Sequence, residues 1–169
     1  MRVAGLRRDK DGWHDAGVPD VPGAGQGSER MVAVFEHPVD VRWRDVDALG
    51  HVNHAVFLTY LEEGRDAFYT QILGADPLYV VARVEVDLRA EVRYPDRRVT
   101  VRIAVERLGT TSLTTRESIL TPSGDAAAEA RVVTVRWDAG QRRPVPFSEA
   151  ERARLAAAMT SDPALGGTG

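Results

Sequence analysis

Residues 53–73 read NHAVFLTYLEEGRDAFYTQIL, and this segment carries the clearest structural signal of the chain. Asn53 is suited to cap a helix N-terminus, because its side chain can accept a backbone N–H of the first turn. Gly74 and Pro77 are typical of the end of a helix. The segment therefore predicts one long amphipathic helix. The residues that share its apolar face are Val56, Phe57, Tyr60, Leu61, Gly64, Phe68 and Ile72.

The segments on both sides of this helix alternate apolar and polar residues with the period of a β-strand. Before the helix, VDVRWRDVD (39–47) alternates and is followed by the turn-like ALGH. SEAERARLAAAM (148–159) predicts a short second helix, with Ser148 as its cap and Glu151 completing a capping box. Between the two helices lie four strand-like segments, at 78–92, 99–109, 112–121 and 128–138.

A strand, a long helix and then a run of strands is the element order of an α+β fold. It predicts an antiparallel β-sheet of about five strands wrapped around one long central helix, over residues 31–160. Residues 1–30 are rich in Gly and Pro and are expected to form a flexible extension, and residues 161–169 a disordered tail. Because such a sheet leaves a free edge, we expect two copies to associate edge to edge, as a homodimer or a dimer of dimers.

The composition excludes several classes of function. The chain has 169 residues, a formal net charge of −3 and no cysteine. A nucleic-acid-binding domain usually carries a basic excess, and without cysteine there are no disulfides, thiolate metal sites or cysteine nucleophiles. No segment has the apolar length of a membrane helix, and residues 1–17 lack the apolar core of a secretory signal. We therefore expect a cytoplasmic protein that binds neither nucleic acid nor membranes.

The segment DALGHVNHAVFLTYLEEGR (47–65) resembles the hotdog-fold thioesterases, in particular the 4-hydroxybenzoyl-CoA thioesterase-like branch that includes bacterial acyl-CoA thioesterases. RYPDRRVTVRIAVERLGTTSLTTRESIL resembles the later strands of that family, and RRPVPFSEAER its exit into a terminal helix, so that the resemblance covers residues 35–155. It implies a hotdog fold, no cofactor, and hydrolysis of acyl-CoA, or of an acyl-carrier-protein thioester, to the free acid. The positions that match the family pattern are Asp47, Gly50, Phe57, Tyr60, Glu62 and Arg65.

The implied reaction sets requirements that the start of the helix can meet. Thioester hydrolysis places negative charge on an oxygen, and unpaired N–H groups at a helix N-terminus stabilise such charge. The candidate donors are the amides of Val52, Asn53 and His54, and the resemblance favours His54. Asp47 lies one loop earlier and can act as a nucleophile or as a general base that activates water. Both routes stay open, and Asp45 is the second candidate carboxylate.

The two histidines at the helix start have competing interpretations. Plant acyl-carrier-protein thioesterases have a catalytic His at the position of His51, but they have Asn where this chain has Leu49. We therefore assign His51 to substrate binding rather than to catalysis. His54 matches a His of the acyl-CoA branch and either lines the pocket, orients Asp47 or is solvated. No third His or Cys lies nearby, so no metal site is predicted.

The remaining matched residues are expected to support the site. Glu62 and Arg65 lie three positions apart on the helix, where they form either a surface ion pair or part of the active-site wall or dimer seam. Gly50 and Tyr60 are assigned to the same supporting group. A function of a different class also stays open, namely a hotdog module that binds or senses acyl thioesters without hydrolysing them. Retention of Asp47 favours the enzyme.

Overall fold

The computed structural model describes residues 34–74 and 78–159, together with two short strands near the N-terminus. The chain divides into two compact units, Met1–Arg30 and Met31–Gly169. The tail predicted over residues 161–169 lies outside the described residues.

The first unit contains a pair of strands that the sequence analysis did not predict. β1 (Leu6–Asp9) runs antiparallel to β2 (Gly12–Asp15), with Leu6 opposite Asp15. Both strands lie within the segment 1–30 that is expected to form a flexible extension.

The second unit is built on one antiparallel sheet, which confirms the predicted fold class. Its five long strands are β3 (Val34–Asp40), β4 (Tyr79–Leu88), β5 (Arg98–Leu108), β6 (Ser112–Leu120) and β7 (Ala126–Asp138). Their order in the sheet is β3-β5-β6-β7-β4, and a two-residue strand, β8 (Arg143–Pro144), pairs with the end of β7. Two helices, α1 (His54–Leu73) and α2 (Glu149–Ala158), complete the unit.

Helix α1 begins and ends where the sequence predicts. The Asn53 side chain accepts the Ala55 N–H at 2.9 Å, and the chain leaves the helix through Gly74. The predicted apolar face packs on the sheet, and Gly64 marks its closest approach, because a Cβ there would lie 2.4 Å from a Val101 methyl group. The absence of a side chain at Gly64 therefore allows the close distance between α1 and β5.

The strand predicted over residues 39–47 is wrong for most of its length. β3 ends at Asp40, and residues 43–45 form a turn of 3₁₀ helix. The Asp45 carboxylate explains the turn, because it accepts the Arg42 N–H at 2.9 Å and the buried Tyr60 hydroxyl at 2.7 Å. These bonds draw Asp45 into the interior and divert the backbone from an extended course.

Helix α2 has the predicted capping box. The Ser148 hydroxyl accepts the Glu151 N–H at 3.3 Å, and the Glu151 carboxylate accepts the Ser148 N–H at 2.6 Å. α2 packs against α1 and β5, and its Leu155 is fully buried. In the described part of the chain, no helix is long and apolar enough to cross a membrane.

Strand β4 is an edge strand with an uncovered apolar face. In the described residues it pairs with β7 only. Its Val81, Val84 and Leu88 lie opposite buried residues of β7, and therefore on the side of the sheet that carries α1, yet they remain 42%, 38% and 52% exposed. We call these three residues the β4 strip. The strip is a surface that α1 does not reach.

Candidate active site

Asp47 begins a tight loop that ends directly before helix α1. Its N–H donates to the His51 carbonyl at 2.9 Å, and its own carbonyl accepts the Gly50 N–H at 3.0 Å. The side-chain oxygen Oδ1 accepts the Leu49 N–H at 2.8 Å. Among the described residues, Oδ2 has no hydrogen-bond partner, so one carboxylate oxygen of this half-buried side chain is free. Gly50 is required by the loop, since its φ of +83° is strained for other residues.

Tyr60 supports this loop through Asp45. The Tyr60 hydroxyl is fully buried and donates to the Asp45 carboxylate, and burial together with that carboxylate raises the pKa of the Tyr60 phenol. The Asp45 carbonyl in turn accepts the Asn53 N–H at 2.9 Å. Val46 and Val52 pair across the base of the loop. The start of α1 and the loop that carries Asp47 are thus fixed relative to each other.

The three predicted oxyanion donors differ in availability. The Val52 amide donates to the Val92 carbonyl at 2.7 Å, and the Asn53 amide donates to Asp45. The His54 amide, at the first position of α1, has no acceptor among the described residues. The geometry therefore leaves His54 as the free donor of the three, while Val52 and Asn53 hold the helix start in place.

The structure adds a group to the site that the sequence analysis missed. Glu91, which follows β4, has its Oε2 atom 2.7 Å from His51 Nε2 and its other oxygen against the Arg93 guanidinium. No local pattern in the sequence marks Glu91, since its proximity to His51 arises only when the segment after β4 crosses beside the Asp47 loop. The His54 side chain is exposed and has no polar partner in the described part of the chain.

Glu62 and Arg65 do not form the surface ion pair that was one interpretation of their spacing. Glu62 is exposed, whereas Arg65 is buried and its NH1 atom donates to Glu117 Oε2 on β6 at 2.7 Å. Thr115 donates to the other Glu117 oxygen at 2.8 Å. Desolvation raises the pKa of Glu117 and Arg65 opposes that rise. Arg65 thus connects α1 to β6, the middle strand of the sheet.

Several large apolar side chains close to Asp47 in the sequence are exposed. Trp43 and Leu49, on either side of Asp47, are 79% and 78% exposed. Leu58, one turn into α1, is 46% exposed. Like the β4 strip, they are apolar surface that the described residues leave uncovered. Within residues 34–74 and 78–159, no group of three or more His, Asp or Glu side chains could hold a metal ion.

Comparison with known proteins agrees with this architecture. A profile of the thioesterase-like superfamily matches residues 41–155. A thioesterase from Thermus thermophilus, solved with coenzyme A and zinc, shares 38% identity over 78% of this chain and 98% of its own, with a TM-score of 0.67. A protein from Bacillus stearothermophilus, described as a predicted thioesterase, shares 29% identity over 78% of this chain and 99% of its own, with a TM-score of 0.67.

A third solved structure is described as a candidate acyl-CoA thioesterase of Xanthomonas campestris. It shares 34% identity over 62% of this chain and 93% of its own, with a TM-score of 0.55. The comparison with curated proteins gives no match. The matched residues span the loop of Asp47, helix α1 and the sheet. The chain therefore belongs to the thioesterase-like superfamily, with the hotdog fold and the thioester-hydrolysing chemistry of that family.

Proposed function

We propose that this protein hydrolyses acyl-CoA thioesters to the free acid and CoA, with Asp47 as the catalytic carboxylate. The observation that carries the proposal is the presence of two free groups in the short segment 47–54. Asp47 Oδ2 and the His54 N–H each lack a partner among the described residues, while the groups around them are engaged. A basic oxygen and a free N–H donor within one short segment suit addition to a thioester carbonyl.

Two routes use these groups in different ways. In the first, Asp47 takes a proton from water, the resulting hydroxide adds to the carbonyl carbon, and the carbon–sulfur bond breaks to release CoA as a thiolate. In the second, Asp47 Oδ2 itself adds to the carbonyl carbon, CoA leaves as a thiolate, and water hydrolyses the mixed anhydride. The His54 amide stabilises the oxyanion in both, because charge develops on the carbonyl oxygen in either case.

The choice of CoA as the carrier is supported by two relatives. The Thermus thermophilus protein was solved with coenzyme A, and the Xanthomonas campestris protein is described as an acyl-CoA thioesterase. The apolar side chains of Trp43, Leu49 and Leu58 and the β4 strip supply a surface along which an acyl chain can bury its carbons. An acyl-carrier-protein thioester is the alternative substrate, and a cytoplasmic location fits either carrier.

An assay with a panel of acyl-CoAs tests this function. We expect release of free CoA, detected with a thiol-reactive dye, for at least part of a panel that covers short, medium, long and aromatic acyl groups. The same acyl groups on acyl-carrier protein distinguish the two carriers. Binding of acyl-CoA without thiol release, measured by calorimetry, would instead favour the non-catalytic module.

The working unit in this proposal is a dimer joined along β4, alone or within a dimer of dimers. An exposed edge strand with unpaired backbone groups is a template for pairing with another strand, and here the strand also exposes the β4 strip. A second copy would cover this apolar surface and enclose an acyl chain that lies along it. The site would then be complete only in the dimer.

Replacement of Val84 tests this arrangement. We expect Val84→Lys to give a monomer in light scattering, because a charge on the pairing face opposes edge-to-edge association. Turnover should fall at least about tenfold, the size expected when substrate positioning is lost. Val34→Lys is the matched control, because Val34 is 41% exposed on the other edge strand, β3. A wild-type protein that is monomeric and fully active would contradict the dimer.

A further inference from the structure

Glu91 and His51 are distant in sequence but adjacent in the fold. Their side chains meet at 2.7 Å between Oε2 and Nε2, with side-chain exposures of 45% and 35%. Both groups are therefore within reach of solvent and of a bound substrate. The proposed mechanism, built on Asp47 and the His54 amide, makes no use of this pair.

The backbone around Glu91 is anchored, and its carboxylate is held by contacts to His51 and Arg93. Before it, the Arg89 and Ala90 amides both donate to the Ala127 carbonyl, at 2.8 and 3.2 Å. After it, Val92 is fully buried and its carbonyl accepts the Val52 N–H at 2.7 Å. With its backbone fixed on both sides and one oxygen against each of His51 and Arg93, the carboxylate has a defined orientation. This is the environment expected of a group that orients another side chain.

His51 connects this carboxylate to the catalytic loop. Its carbonyl accepts the Asp47 N–H at 2.9 Å, and His51 pairs with Arg93 across an antiparallel bridge. His51 therefore closes the Asp47 loop through its backbone carbonyl and contacts the Glu91 carboxylate through its ring. A change in the orientation of the ring would therefore affect the loop that carries the catalytic carboxylate.

We propose that Glu91 is a positioning residue for the hydrolysis assigned to Asp47, and this inference rests on that proposed function. Glu91 accepts the Nε2 proton of His51 and so selects the tautomer in which Nδ1 is the acceptor. A ring held in this way presents one defined acceptor atom beside the Asp47 loop, for an N–H of the substrate or for the attacking water. Without Glu91 the ring is free to rotate and to exchange tautomers.

Kinetics of Glu91 variants separate this role from a structural one. We expect Glu91→Ala to lower kcat about tenfold, the lower end of the effect seen when a histidine loses its orienting carboxylate, with KM nearly unchanged. Glu91→Gln should restore most of kcat, because its amide oxygen can accept the same proton. Glu36→Ala should have no effect, since Glu36 on β3 forms a comparable exposed pair with Arg102 on β5. Failure of Gln to restore activity would overturn the proposal.

A double-mutant cycle shows whether Glu91 acts through His51. We expect Glu91→Ala to have no further effect on kcat in a His51→Ala background, since the interaction is then already lost. An equal loss in both backgrounds, or the same loss in Arg93→Ala, would assign Glu91 to Arg93 instead and overturn the inference.

A spectroscopic measurement on the wild-type protein gives an independent answer. Long-range ¹H–¹⁵N spectra of the imidazole should show His51 with its proton on Nε2, and a mixture of tautomers in Glu91→Ala. A mixture in the wild type would contradict the proposal even if every variant folds poorly. Failure of the proposed function itself looks different, because the wild-type protein would then release no CoA from any acyl-CoA.

Discussion

Asp47→Asn should lower the turnover of acyl-CoA by at least about a hundredfold, which corresponds to a loss of about 2.7 kcal/mol of transition-state stabilisation. The amide retains an oxygen that can accept the Leu49 N–H, so the loop around residue 47 should keep its shape. What disappears is the negative charge on the free Oδ2 atom. Both routes need that charge, one to take a proton from water and the other to attack the carbonyl carbon.

The measurement is a steady-state assay of thiol release, combined with calorimetric binding of a substrate or of CoA. Binding should be preserved in Asp47→Asn while kcat falls. Asp138→Asn is the matched control, because Asp138 also accepts a backbone N–H in a turn, that of Gln141 at 2.8 Å, but lies outside the site. Turnover by Asp47→Asn within threefold of the wild type would remove Asp47 from the mechanism.

Arg65→Met is expected to have the largest effect on stability, about 3–5 kcal/mol, because it leaves the Glu117 carboxylate buried without its positive partner. The Glu117 side chain has no exposed surface, and that of Arg65 is 5% exposed. Replacing both residues, as in Arg65→Met with Glu117→Leu, should recover most of the loss, since an apolar pair needs no charge compensation. Arg116→Met is the control. Arg116 lies on β6 next to Glu117, but it faces solvent and forms an exposed pair with Glu106.

The loss in Arg65→Met should depend on pH. Burial raises the pKa of Glu117 in the folded protein, and Arg65 opposes that rise, so removal of Arg65 raises the pKa further. A carboxyl group whose pKa is higher in the folded state binds more protons folded than unfolded, and stability then falls as pH increases above its unfolded pKa of about 4.3. Urea unfolding should therefore show a larger deficit for Arg65→Met at pH 7 than at pH 5. An equal deficit at both values would contradict a charge-based explanation.

The local elements of this fold can be predicted from the sequence because their signals are local. The apolar spacing and the Asn53 cap define α1, the alternation of Val99, Val101, Ile103 and Val105 defines β5, and Ser148 begins α2. The strand predicted over residues 39–47 is wrong because the deciding interaction there is not local. Its alternation is genuine, but a long-range bond from Tyr60 to Asp45 outweighs it.

The candidate site likewise contains residues that are close in sequence and residues that only the fold brings together. Asp47, Gly50 and the helix-start residues lie within one short segment, so the sequence could bring them together. Glu91 lies next to His51 only because of the course that the chain takes after β4. The pattern of apolar and polar residues in the sequence does not indicate that course. Glu117 did leave a signal, because the alternation of β6 puts it on the same face as Leu113 and Ile119, which are fully buried. An acid at an inward position of a strand predicts a buried partner, and Arg65 is that partner.

The path of β4 has a consequence for how the protein would behave at low concentration. The strand that exposes the β4 strip continues directly into the anchored segment that holds Glu91 beside His51. In the proposed dimer, loss of the second copy would free one side of β4, and the added motion would extend to the segment next in the chain. Specific activity would then decline on dilution as the fraction of dimer falls. The degree of association would thus set the catalytic activity.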